Sequence, residues 1–219
     1  MLARYLLLGM LTIALASCST ARSVGPAYKG ASLDQKLPLF TLVYVEKSSV
    51  PAGELSVLHQ RGSSAAISQP HLADAPQETA ELLLKVNGFA HERLKSASGS
   101  DKHVSDMRFI QGKNGVPQAP QTTFDLNANY PELAKSEGAL LLIEPVRGDY
   151  YCEKMMLAPD WCRPRLLVKA SLFLKNKLLW SSDVRVQRDS LLIPLSSETI
   201  DTLWGTISGE LRRSGILTD

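Results

Sequence analysis

Two apolar, β-rich runs, Leu166 to Leu174 and Leu178 to Val186, flank Lys175-Asn176-Lys177. Asn tolerates the positive φ that a tight turn requires, so the runs predict an antiparallel hairpin. From about Ser196, the residues Ile200, Leu203, Trp204, Ile207 and Leu211 recur at helical spacing, with Glu198 and Asp201 early and Arg212 and Arg213 late, beside Gly215. These charges agree with the helix dipole and predict an amphipathic closing helix.

Upstream the pattern is mixed. Leu39 to Val45 is rich in β-branched and aromatic residues and ends at a charged stretch through Pro51 and Gly53, which predicts a central strand. Residues 54 to 73 hold only Leu55, Val57 and Leu58 as a compact apolar group before Gly62, and they read as irregular. Asp74-Ala-Pro76-Gln77 has the form of a helix start, with Asp74 as N-cap. Leu82, Leu83, Val86, Phe89, Ala90, Leu94 and Ala97 then share one helical face, although residues 82–89 also fit a strand. Val104 to Ile110 predicts a second short strand, Gly112 to Gln121 an exposed loop, Tyr130 to Ser136 a short helix, and Ala139 to Ile143 a buried strand. The expected fold is α+β or α/β, with a mixed sheet of about 4–6 strands covered by 2–3 helices.

Composition narrows the function classes. The chain has 219 residues, 44% hydrophobic and 21% charged, a formal net charge of +2 and a mean hydropathy of −0.05. Those values exclude a polytopic membrane protein and give no bulk charge to attract nucleic acid. The amino terminus is different: a basic start at Arg4 precedes an apolar run from Tyr5 to Ala16, the form of a secretory signal and too short to span a bilayer. Leu15-Ala16-Ser17-Cys18 resembles the bacterial lipobox at all four positions. The resemblance implies cleavage before Cys18, a diacylglycerol on its sulfur and no other cofactor. Ser19 stands where the family's sorting rule reserves Asp for inner-membrane retention, so the resemblance implies an outer-membrane protein facing the periplasm. The chain then divides into a signal peptide (1–17), an anchor with a flexible tether (18–36) and one domain (37–219).

With Cys18 lipidated, Cys152 and Cys162 are an even pair, and an oxidising periplasm favours a disulfide between them. Closing an 11-residue loop in this way contributes about 3 kcal/mol in the chain-entropy model. The enclosed segment carries Met155, Met156, Leu157 and Trp161, adaptable or large apolar side chains suited either to a partner-binding knob or to a minor core over the sheet. His59, His71, His91 and His103 are scattered without metal-ligand spacing, so no metal is expected. Ser98-Gly99-Ser100 is not a nucleophile elbow, and no glycine-rich loop cradles phosphate. Gly205 and Gly209 lie opposite the apolar stripe of the last helix, where a close backbone approach or a plain surface are both compatible.

The order of elements is loosely similar to small periplasmic domains such as that at the amino terminus of the Tol-system propeller protein. It is similar also to lipoproteins that activate penicillin-binding proteins or assist transport systems. The resemblance implies a non-enzymatic outer-membrane lipoprotein acting as adaptor, stabiliser or regulator of an envelope assembly or transport system, with the membrane and an envelope protein as partners. The alternative is a carrier for a lipid or small amphiphile in a cavity between sheet and helices. A cell-envelope hydrolase ranks third, because no catalytic constellation is present in the sequence.

Overall fold

A computed structural model describes residues 21–30, 37, 39–58, 75–114, 125–153, 161–187 and 195–217, with backbone alone for 54–58, 153 and 161. The elements run β1 (Ala21–Ser23), β2 (Tyr28–Lys29), β3 (Phe40–Glu46), β4 (Ala52–Leu58), α1 (Ala75–Gly99), β5 (Val104–Gln111), α2 (Leu126–Asn129), α3 (Pro131–Ala134), β6 (Ala139–Glu153), β7 (Trp161–Leu174), β8 (Lys177–Gln187) and α4 (Glu198–Arg213). The fold is α+β. Its mixed sheet has eight strands rather than the expected four to six, in the order β1-β8-β7-β6-β3-β5, with β2 also on β8 and β4 also on β6.

The predicted hairpin is β7 and β8, joined by Lys175 and Asn176 with φ of 48° and 65°. Positive φ at both turn residues matches the twist of the strands they join. Residues 82–89 lie in a helix, so the strand alternative is set aside: Leu82, Leu83, Val86, Ala90 and Leu94 are buried along one face of α1. Asp74 and the predicted loop through Gln121 fall wholly or partly outside the described residues. The short helix divides into α2 and α3, where Asp125 caps α2 by accepting from the backbone N–H groups of Asn127 and Ala128. Helix α4 ends as its sequence predicts. Gly215, at φ 74°, donates to the Arg212 carbonyl and Ile216 to that of Leu211, which satisfies the last carbonyls of the helix.

Two expectations need correction. Residues 54–58, expected to be irregular, continue β4, which pairs in parallel with the far half of β6. Strand β6 is 15 residues long; β3 lies against its first five and β4 against its end. Pro145 has no N–H to give the ladder, and the register shifts there, between Pro145 and Arg147. The second correction concerns the tether. Ala21–Ser23 and Tyr28–Lys29 are strands on the edge of the sheet, opposite Val184–Val186 and Trp180–Ser181. They have no apolar periodicity of their own, and β8 supplies the hydrogen bonds that hold them.

The sheet is buried on both faces along β3 and the first part of β6, which explains the apolar runs over residues 40–45 and 139–143. Phe40, Leu42, Tyr44, Leu141 and Ile143 join Leu166, Val168, Ala170, Leu172 and Trp180 beneath α1 and α4. Val43, Val45, Leu140, Leu142 and Phe173 face Leu126, Tyr130 and Leu133 of the α2–α3 region. Gly148 fixes how closely α1 approaches, since a Cβ there would lie 2.1 Å from Thr79 Cγ2.

Candidate functional site

Strand alternation sorts the distal part of the sheet into two chemically different faces. Toward α1 lie Gly148, Tyr150 and Cys152, opposite Leu166, Pro164 and Cys162 in the β6–β7 register. The opposite face carries Asp149 across from Arg165 and Tyr151 across from Arg163, followed on β8 by Asp183, Arg185 and Gln187, and on β1 by Arg22. Arg22 stands directly opposite Arg185. The result is an arginine-rich strip crossing β6, β7, β8 and β1.

Tyr151 is the aromatic centre of this strip. The Arg165 Cζ lies 3.6 Å from its ring centroid and the Arg163 Cζ 5.5 Å from it, both within cation–π range. Arg165 and Tyr151 are each only 8% exposed, Arg163 and Arg185 are half-buried, and Arg22 is exposed. Burial, and next the nearby Arg185, draw the Arg165 guanidinium down to about 10, against the opposing pull of Tyr151 and Asp149. The Nε atoms of Arg165 and Arg185 are buried and have no hydrogen-bond partner among the described residues. Asp149 pairs with Arg147 at 2.7 Å and Asp183 with Lys169 at 2.6 Å.

Further along the same face a buried ion pair is fully engaged. Lys47 Nζ lies 2.6 Å from Glu144 Oε1, both residues being 5% exposed, and the Tyr130 hydroxyl donates to that oxygen at 2.7 Å. Burial, and then the charge of Glu144, hold the Tyr130 hydroxyl well above the ordinary phenol range. This group is structural, tying the loop after β3 to β6 and to the turn between α2 and α3.

A cavity of about 350 Å³ opens on the α1 side. Val50, Pro51 and Gly53 form one wall, Ala75, Thr79, Ala80 and Leu83 of α1 another, and Gly148 and Tyr150 its floor. Tyr150 donates from its hydroxyl to Glu78 at 2.8 Å, which fixes the ring beside the opening. The small side chains of Ala75 and Ala80 on α1 leave the space that larger side chains would fill. Its volume is near the lower end of the range for small-molecule sites.

The residues singled out by sequence are distributed as follows. Cys152 and Cys162 are disulfide-bonded across the β6–β7 ladder. Met155, Met156, Leu157 and Cys18 lie outside the described residues, and Trp161 is described only as the backbone partner of Glu153. His91 stacks on Phe109, with ring centroids 4.1 Å apart, and contacts the Glu46 carboxylate; His103 is buried beside the start of β5. Gly205 and Gly209 face open space. Among the described residues no group of three His, Cys, Asp or Glu is placed to hold a metal ion, and no helix is long and apolar enough to cross a membrane. Sequence reasoning missed the arginine strip, and it raised a cavity between sheet and helices only as an alternative without naming the residues that line it. The strip's only signal was Arg163-x-Arg165, a period-two pair at the head of a strand.

No family model matches the chain, and no curated protein matches it. Among solved structures it is similar to the PelC dodecamer from Paraburkholderia phytofirmans, at 12% identity and a TM-score of 0.33, over 87% of this chain and 96% of that one. It is similar also to protein XCC0632 from Xanthomonas campestris, at 9% identity and a TM-score of 0.29, over 89% of this chain and 88% of that one.

Proposed function

We propose that the chain is a non-enzymatic, lipid-anchored envelope protein of the outer membrane that acts as an adaptor or stabiliser of an envelope assembly or transport system. The observation that carries this reading is the docking of β1 and β2 onto β8 immediately after the lipobox cysteine. Only Ser19 and Thr20 separate Cys18 from β1, so an acylated Cys18 holds the domain directly at the bilayer instead of on a long leash. Confinement of this kind raises the effective concentration of a module near membrane partners. The interior beneath α1 and α4 also suits a scaffold, since Leu42, Leu83, Leu94, Leu141, Leu172 and Ile207 are fully buried there.

Two measurements test it. Membrane pelleting of the Cys18→Ser chain is expected to fall at least tenfold, and unchanged pelleting overturns the anchor. Crosslinking of the wild-type chain in the envelope is expected to recover one dominant heterologous partner; recovery of monomer alone overturns the adaptor role.

The cavity favours a second reading, in which the protein holds a small amphiphile at the first turns of α1. Ala80→Trp places an indole in that space. Lipid extracted with the purified wild-type chain and absent from the folded Ala80→Trp chain would support amphiphile binding, whereas equal amounts from both would exclude this cavity.

A further inference from the structure

The arginine strip and the start of β1 lie at the same end of the sheet. Ala21 is opposite Val186 and Arg22 opposite Arg185, while Arg165 faces Gln187 across the β7–β8 ladder. Cys18 precedes Ala21 by three residues, and three extended residues reach at most about 10 Å. An acyl anchor on Cys18 therefore enters the bilayer within about 15 Å of the Arg22 backbone and about 20 Å of that of Arg185, on the order of two Debye lengths. The strip's chemistry suits an anion. Guanidinium groups take phosphate oxygens in paired hydrogen bonds, and at this end of the sheet Arg22 is exposed and Arg185, directly opposite it, is half-buried. On the same face Asp149 pairs with Arg147 and Asp183 with Lys169.

We propose that Arg22, Arg163, Arg165 and Arg185 form a docking strip for the phosphate groups of anionic phospholipids, so that the anchored domain rests with this end of its sheet on the membrane. The proposal rests on the lipid anchor at Cys18. Arg22 and Arg185 make the contacts with phosphate; Arg163 and Arg165, packed near Tyr151, lie beneath them and add positive potential. Helices α1 and α4 lie on the other face of the sheet and stay clear of the membrane.

The test uses the mature chain purified from membranes and reconstituted in nanodiscs of phosphatidylcholine, with or without phosphatidylglycerol. Phenylglyoxal modification is read arginine by arginine by mass spectrometry. Modification of Arg22 and Arg185 is expected to slow about fivefold in the anionic discs, the factor that corresponds to about 1 kcal/mol per basic residue at an anionic surface. Arg93 and Arg108, away from the strip, are expected to react equally in both. Equal rates at Arg22 and Arg185 in the two lipids overturn the proposal. So does equal slowing in neutral discs by inorganic phosphate, which would assign the strip to a soluble anion, or slowing that requires an added acidic protein, which would assign it to a protein partner. The mass of the amino-terminal peptide in the same samples reports acylation of Cys18 separately. If that peptide is unmodified the anchor fails by itself, and cosedimentation of the chain with anionic but not neutral vesicles still supports the strip, while cosedimentation with neither refutes it.

Discussion

Lys47→Met is expected to destabilise the fold by about 3–5 kcal/mol, because it leaves the Glu144 carboxylate buried without its cation. Lys47 and Glu144 are each 5% exposed and 2.6 Å apart. Water cannot replace the lost ammonium without opening the site. For a domain of this size each kcal/mol lowers Tm by about 2–4 °C, so thermal unfolding followed by circular dichroism should register a fall on the order of 10 °C. The triple variant Lys47→Met, Glu144→Leu, Tyr130→Phe removes the cation, the anion and the hydroxyl donor together. It is expected to recover most of the loss, since an apolar replacement of a whole buried pair is often nearly neutral. A single-variant loss below about 1 kcal/mol would mean that water already screens the pair.

Trp180→Ala is expected to cost a comparable amount, about 3–5 kcal/mol, through a different mechanism. Trp180 is fully buried on β8, opposite Leu172 on one side and Lys29 on the other, and its Nε1 donates to Ser214 Oγ at 3.0 Å. The indole therefore connects the hairpin, the edge strand β2 and the end of α4. Ser214→Ala removes only the hydrogen bond and is expected to cost about 1 kcal/mol. Urea titration of the two variants separates the contributions. Equal losses would mean that the hydrogen bond, rather than the filled volume, carries the effect.

How much of this was legible in the sequence depends on whether a residue's partner is local. The β7–β8 hairpin was readable because Lys175-Asn176 sets the turn and the flanking runs keep their pattern. Helix α4 was readable because its stripe, dipole charges and Gly215 agree with one another. The far half of β6 was not readable, since Pro145 and Gly148 interrupt its apolar run and its outer residues alternate as Arg147, Asp149 and Tyr151. Strands β1 and β2 carry no pattern that distinguishes them from a tether; only the edge of β8 makes them strands. The arginine strip is a product of register. Arg22, Arg163, Arg165 and Arg185 are up to 163 positions apart in sequence, and two antiparallel pairings, β1 with β8 and β8 with β7, bring them to one face. The cavity likewise reflects side chains too small to fill the space around the first turns of α1, a property that no single residue announces.

The pairing of β1 with β8 also bears on the order in which the fold can be completed. Ala21 and Val186 are 165 residues apart in sequence and are register partners in the sheet. The segment made first therefore waits for nearly the whole chain before its hydrogen bonds can form, and long-range strand pairing of this kind is intrinsically slow. Until then β8's outer edge is open, and an open edge can pair with strands of other chains. The amino-terminal strand is thus the last clasp to close, and a chain shortened within residues 21–29 would expose a sheet edge to aggregation while leaving the core sequence intact.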